Sequence, residues 1–154
     1  MEVTLVCGAV GSGKTYYVQE HSQRGDLVVD LDLLYMAISG LPMYDRPTEL
    51  LPFALVARKA IVRRLMQPSI IQRAWVITSN PTLGRRYEYA AVGARIVVLE
   101  VPADECIRRV QADERRAPSD TDWTALIRDW WARYKRRRGD VVIEWAAGER
   151  ADKG

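Results

Sequence analysis

Five short apolar runs punctuate the chain, and the segments between them carry apolar residues at helical spacing. The runs are Val3-Thr4-Leu5-Val6-Cys7, Leu27-Val28-Val29-Asp30-Leu31, Trp75-Val76-Ile77-Thr78, Ala94-Arg95-Ile96-Val97-Val98-Leu99-Glu100-Val101 and Val141-Val142-Ile143. Such runs, short and β-branched and bounded by turn residues, read as strands buried on both faces. The intervening periodicity predicts helices over 16–23, 33–39, 53–66, 83–91 and 103–116, and one more that starts near Asp122. The helix over 53–66 is expected to bury Phe53, Val56, Ala57, Ala60, Ile61 and Leu65, and the helix over 103–116 to bury Cys106, Ile107 and Val110. In the last helix Trp123, Ile127, Trp130, Trp131 and Tyr134 form a stripe that argues for core packing, with stacking on nucleic-acid bases as the alternative. Thr82 is placed to cap the helix over 83–91, and residues 148–154 read as a polar, frayed tail. Strands alternating with helices predict a single α/β domain over 1–154, with about five parallel strands and helices on both faces.

The turn after the first strand, Gly8-Ala9-Val10-Gly11-Ser12-Gly13-Lys14-Thr15, fits G-x-x-x-x-G-K-[ST], the phosphate-binding P-loop, in its required strand–loop–helix context. The glycines permit backbone angles that let several N–H groups converge on phosphate oxygens. The helix N-terminus adds unpaired donors and partial positive charge. Gly8, Gly11, Ser12, Gly13, Lys14 and Thr15 are the expected nucleotide-binding residues. Lys14 should reach the β and γ phosphates, and the Thr15 hydroxyl should hold Mg²⁺. The bland alternative is a glycine-rich turn without a ligand.

The second run ends on Asp30-Leu31-Asp32, and alternation along a strand would put both carboxylates on one side. Ligands of open α/β sheets bind at the carboxyl ends of the strands, so the pair could serve as a general base and as a partner behind Mg²⁺. Alternatively, Asp32 caps the helix over 33–39. The third run ends in Thr78-Ser79-Asn80-Pro81, without the acidic residue of a motor-type ATPase. Residues 40–52 form a long loop with Pro42, Pro47 and Pro52 around Tyr44-Asp45-Arg46, either a lid over an acceptor or a plain connection. Arg58, Lys59, Arg63 and Arg64 make one helix face basic, as a solvated surface or a nucleic-acid groove. Spacings of seven place Arg108 with Arg115 and Arg109 with Arg116, and a break at 117–120 follows. Segment 108–122 is thus expected to be an arginine-rich lid whose cations neutralise a transferring phosphoryl group. Ion pairing such as Arg109 with Asp113 competes with that reading. The basic run Lys135-Arg136-Arg137-Arg138 suits a helix C-terminus or a nucleic-acid contact.

Composition narrows the classes. A hydrophobic share of 48% supplies a core for one domain, and there is no run of about 18 apolar residues to span a membrane. Residues 1–4 enter a strand directly, without signal-peptide character. Cys7 and Cys106 read as small core residues in a reducing cytoplasm, and a single histidine, His21, expected at the surface, gives no zinc pattern. The net charge of +3 favours an anionic partner, for which nucleotide phosphates suffice. Oligomeric state leaves no signature in the sequence.

The P-loop, the segment 27–32, the stretch Val76-Ile77-Thr78-Ser79-Asn80-Pro81 with Arg85-Arg86 beyond, and Val101-Pro102-Ala103-Asp104-Glu105-Cys106-Ile107-Arg108-Arg109 together resemble the small P-loop kinases related to adenylate kinase, in particular the kinase domain of bacteriophage polynucleotide kinase. The resemblance implies ATP and Mg²⁺, with Asp32 as the base that activates an acceptor hydroxyl. It also implies lid arginines, matched by Arg109 and by Arg115 or Arg116, and a cytoplasmic site of action (the host's, for a phage-encoded chain). With the basic surface it points to a nucleic-acid acceptor, at a 5′-hydroxyl or at the hydroxyl of a modified base. Two positions depart from that family: Tyr35 stands where an arginine would hold the acceptor phosphate, and Ser79 where the third strand has an aspartate. Asp30-Leu31-Asp32 also resembles shikimate and gluconate kinases, which leaves a small-molecule acceptor open. A nucleic-acid-stimulated ATPase is the third reading.

Overall fold

The computed structural model describes residues 1–146, so the expected tail over 148–154 lies outside the described residues. In chain order it comprises β1 (Glu2–Gly8), α1 (Lys14–His21), β2 (Leu27–Val29), α2 (Leu31–Ser39), α3 (Leu51–Leu65), β3 (Arg73–Thr78), α4 (Leu83–Ala91), β4 (Arg95–Glu100), α5 (Ala103–Ala112), α6 (Trp123–Arg133) and β5 (Val141–Glu144). Single 3-10 turns lie at Thr48–Leu50 and Glu114–Arg116. The strands form one sheet in the order β2-β3-β1-β4-β5, every pair parallel, as the alternation of runs and helices predicts. No helix among the described residues is long and apolar enough to cross a membrane.

Period-two alternation feeds two cores. Leu5 and Cys7, Ala74 and Val76, and Ile96 and Val98 face one side, where α3 adds Leu65, α4 Tyr89, α5 Cys106 and Val110, and α6 Trp123, Ile127 and Trp130. Val6, Trp75 and Ile77, with Val97 and Leu99, face the other side against Val18 and Tyr17 of α1. Both cysteines are free and buried. The register pairs Cys7 with Thr78 and Val29 with Val76, so β1, β2 and β3 end together. The P-loop, Asp30 and Ser79 therefore stand side by side at the carboxyl edge, where the chain reverses direction across the sheet.

Several boundaries differ from expectation for local reasons. β2 stops at Val29 because Asp30 caps α2: its Oδ1 accepts the Asp32 N–H at 2.9 Å. The cap is Asp30 and not Asp32, and the two carboxylates do not alternate along a strand. α5 ends at Ala112 because the Asp113 carboxylate accepts the Arg115 N–H and starts a new turn. The seven-residue spacing of Arg108 with Arg115 and Arg109 with Arg116 therefore has no helix to act along. Thr82 occupies the cap position of α4 without a side-chain cap bond; its N–H and hydroxyl both donate to Asn80 Oδ1. α3 buries Ala54 and Leu65 and partly buries Ile61 and Val62, whereas Phe53 and Val56 face solvent. The helix is turned so that Arg58, on the same face as Ala54 and Ile61, donates to the Ile77 carbonyl at 3.4 Å. The Trp123, Ile127, Trp130 stripe packs as its spacing predicts, with Trp130 stacked on Tyr134 at 4.6 Å.

Candidate active site

The P-loop glycines meet constraints that no side chain would satisfy. Gly11 has φ +80, and a Cβ there would lie 2.8 Å from the Cys106 carbonyl oxygen and 2.9 Å from Val110 Cγ2, pushing α5 off the loop. Gly13, at φ 89, is the cap residue of α1. At Gly8 a Cβ would collide with Ser12 Oγ and approach the Leu99 carbonyl to 3.2 Å. Ser12 is buried, its N–H donating to the Ala9 carbonyl at 3.1 Å, and its Oγ has no hydrogen-bond partner. Lys14 Nζ donates to the Ala9 carbonyl at 2.7 Å, and burial pulls its pKa down from 10.5 to about 8 against the opposing fields of Cys7 and Asp30. The same burial raises the Cys7 and Cys106 thiols to about 11. A backbone cradle closed to side chains, an orphaned buried hydroxyl and a buried cation together fit a bound polyphosphate.

The Thr15 hydroxyl donates to Asp30 Oδ2 at 3.2 Å, so one carboxylate caps α2 and orients the hydroxyl. That pairing fits a Mg²⁺ held by Thr15 with Asp30 behind it, in keeping with the cation's preference for oxygen ligands. Asp32 sits in the first turn of α2. Burial raises its pKa, opposed chiefly by the field of Arg46, whose Nη1 lies 3.4 Å from Asp32 Oδ1. The contact is an ion pair without hydrogen-bond geometry, and the buried Oδ1 accepts no hydrogen bond.

The three arginines expected as a group are brought to one cleft but held differently. Arg109 donates from Nε to Glu105 at 2.7 Å and from Nη1 to the Gly11 carbonyl at 3.3 Å. Its acidic partner is therefore Glu105, one turn back, and not Asp113. Arg115 grips Asp113 with two hydrogen bonds of 2.7 and 2.8 Å. Arg116 lies over the Tyr44 ring at 3.7 Å and over Trp123 at 4.6 Å, 3.6 Å from Asp113. The cleft they line measures about 710 Å³ and holds Lys14, Thr15, Asp30 and Asp32 in one continuous space. Ser79 lies on its wall, whereas Tyr35 is buried and does not line it.

The sequence offers the loop around Tyr44-Asp45-Arg46 as a lid or a plain connection and the Trp123 stripe as core or base-stacking surface, but it does not single out Arg46, Tyr44 or Trp123 as site residues. Arg46 lies 4.6 Å over Trp123 and supplies the cation beside Asp32 that position 35 lacks. The signal was the proline-bracketed triplet at 44–46, whose loop forms one wall of the cleft. The basic run at 135–138 follows the end of α6 and is largely paired internally: Arg136 bonds Glu100 and Glu144, and Arg137 bonds Asp140.

A family model described as an AAA domain matches residues 3–139. No significant match was found among curated proteins. The fold is similar to a gluconokinase from Sinorhizobium meliloti 1021 (18% identity, TM-score 0.61, covering 95% of this chain and 83% of that one). It is also similar to a shikimate kinase from Acinetobacter baumannii in complex with shikimate (15%, 0.58, 96% and 86%). A chain of the Pnkp1/Rnl/Hen1 RNA repair complex aligns over 86% of this chain and 43% of its own length (13%, 0.65). At these identities the likenesses establish the fold alone.

Proposed function

The chain belongs to the AAA-domain family, and from that premise we propose that it is an ATP-dependent kinase transferring the γ-phosphoryl group to a hydroxyl. The observation that carries the reading is Asp32: a carboxylate whose side chain is 25% exposed and lines the same cleft as the P-loop lysine. A base must be within reach of the acceptor's proton, and the cleft provides that access. The P-loop amides and Lys14 hold the donor phosphates, while Arg109, Arg115 and Arg116 face the charge that develops on the transferring group. Thr15, with Asp30 behind it, would hold Mg²⁺, which would supply positive charge to the donor phosphates.

The acceptor reading that the geometry favours is a small hydroxylated molecule. Half of the eight cations that suggested a nucleic-acid surface are engaged within the chain: Arg136 and Arg137 with carboxylates, Arg58 with the Ile77 carbonyl and Arg64 with the Pro68 carbonyl. A nucleic-acid hydroxyl, at a 5′ end or on a modified base, is the second reading. It is favoured by the aromatic faces of Tyr44 and Trp123 on the cleft wall, which suit base stacking. The test is transfer of labelled γ-phosphate from ATP with Mg²⁺ to a 5′-hydroxyl oligonucleotide, a duplex with hydroxymethylated bases, and a pool of nucleosides and hydroxylated metabolites. Label in the pool alone supports the first reading and label on an oligonucleotide the second. No label in any arm, with ATP bound, removes the kinase reading.

Lys14 makes nucleotide affinity depend on pH. In the free protein its pKa is about 8, while bound phosphates favour the protonated form. Below that pH the lysine is charged before binding; above it, binding must take up a proton. ATP affinity is therefore expected to fall by up to about tenfold per pH unit above 8. Isothermal titration from pH 7 to 10 in buffers of different ionisation enthalpy measures both the fall and the proton uptake. A flat profile would contradict the assignment.

A further inference from the structure

Among the described residues, Tyr44 is the one non-glycine residue with positive φ, at 70°. That conformation is disfavoured for a bulky side chain and persists only where surrounding contacts offset it. The turn is closed by the Asp45 N–H on the Pro42 carbonyl at 3.2 Å. It presents the Tyr44 ring face to Arg116 at 3.7 Å and sets the ring edge-on to Trp123, with centroids 6.3 Å apart at 75°. The Arg116 guanidinium thus meets two aromatic faces, and its side chain is 9% exposed.

The manner of holding distinguishes Arg116 from its neighbours. Arg109 and Arg115 are fixed through their N–H groups, which point at Glu105, the Gly11 carbonyl and Asp113; Arg115 also lies over the Tyr44 ring, but farther off, at 5.2 Å. Arg116 makes no side-chain hydrogen bond among the described residues, and its nearest carboxylate oxygen is 3.6 Å away. Cation–π contact engages the face of a guanidinium and leaves the in-plane donors available. Arg116 and Asp32 line the same cleft, so these donors share a space with the proposed base.

We propose that Tyr44 and Trp123 are positioning residues that form an aromatic socket for Arg116. The socket fixes the guanidinium in place with its hydrogen-bonding edge unused, ready for the reacting phosphoryl group. The inference rests on the kinase reading for what Arg116 does, and on geometry alone for what holds it. It also gives the loop over 40–50 a role: half of the socket comes from the wall of the cleft and half from the start of α6. Displacing that loop withdraws the arginine's support, so the two sides of the cleft act together.

Three substitutions separate ring, hydroxyl and backbone: Tyr44→Phe keeps the ring face, Tyr44→Leu removes it, and Tyr44→Asn removes it while tolerating positive φ. Two readouts are taken on the full chain. The first is kcat for phosphate transfer from ATP, to an acceptor or to water, alongside nucleotide affinity. The second is the rate of limited tryptic cleavage at the Arg116–Ala117 bond. The expected result is a Phe variant within about twofold of wild type, and Leu and Asn variants that lose about tenfold or more in kcat with nucleotide affinity within about twofold. Cleavage after Arg116 is expected to be about fivefold faster or more in Leu and Asn but not in Phe, since a clamped arginine cannot enter a protease pocket. Leu and Asn variants that match wild type in both readouts would overturn the socket, as would a loss of kcat in Phe equal to theirs. A wild-type protein that transfers phosphate to nothing would remove the kinase reading while leaving the proteolysis comparison to decide the socket. Equal cleavage in all four proteins would then overturn it.

Discussion

Asp32→Asn is expected to leave nucleotide affinity within about twofold of wild type and to lower phosphoryl transfer by about 10²–10⁴-fold. The substitution is nearly isosteric, and Asp32 makes no hydrogen bond through Oδ1 that an amide would break. Its backbone N–H, which anchors the capping carboxylate of Asp30, is untouched. What is lost is proton affinity. The pH profile gives a second check. The base must be ionised, so transfer by the wild type falls as pH drops through the pKa of Asp32, which burial has raised above the ordinary carboxylate value. Arg46 is the largest influence opposing that rise. Arg46→Ala should therefore move the acidic limb of the profile to higher pH, while the Asn variant loses that limb. An Asn variant that retains wild-type transfer would show that Asp32 takes no proton and would return the base assignment to the rest of the cleft.

Much of this arrangement was legible in the sequence. The five runs predict the sheet because a strand covered on both faces must be short, mostly apolar and bounded by turn residues. The P-loop is legible because each fixed position meets a local backbone demand, as Gly11 shows against Cys106. The misreadings arise where side chains compete with the backbone or act over long sequence distances. Periodicity cannot tell that Asp30 will turn inward to cap α2, or that Asp113 will stop α5 one turn early. Apolar spacing points to Phe53 and Val56 as part of the buried face of α3, but both face solvent, and the inward face runs through Ala54, Arg58 and Ile61, where the Arg58 head group reaches the Ile77 carbonyl. Arg46 reaches Asp32 from a loop with no periodic signal, and Trp123 reads as core because its packing against α5 and the sheet is also real. The base and the phosphate loop are thus local features, whereas the arginine arrangement around them depends on contacts between distant segments.

The largest loss of stability is expected at Arg86, which does not line the cleft. Arg86 and Asp140 form an ion pair whose two side chains are fully buried. The guanidinium also donates to the carbonyls of Pro81 and Lys135, lies 5.1 Å over the Tyr134 ring, and leaves Nε without a partner among the described residues. One side chain thereby joins the start of α4 to the segment leading into β5. Such a pair adds little over an apolar replacement, but removing Asp140 strands the buried Arg86 charge, whereas Asp140 without Arg86 keeps its bond from Arg137. Asp140→Asn should cost about 3–5 kcal/mol, lowering Tm by about 10 °C or more for a chain of this size. Arg86→Met should cost a similar amount, by orphaning the Pro81 and Lys135 carbonyls. Thermal and urea unfolding of both single variants and of Arg86→Met/Asp140→Asn closes the cycle. With neither partner of the pair charged, the double variant should be more stable than the sum of the singles by about 2 kcal/mol or more. Strict additivity would mean that the two side chains do not depend on each other. The junction between α4 and β5 would then be held by the aromatic packing of Trp130, Trp131 and Tyr134 alone.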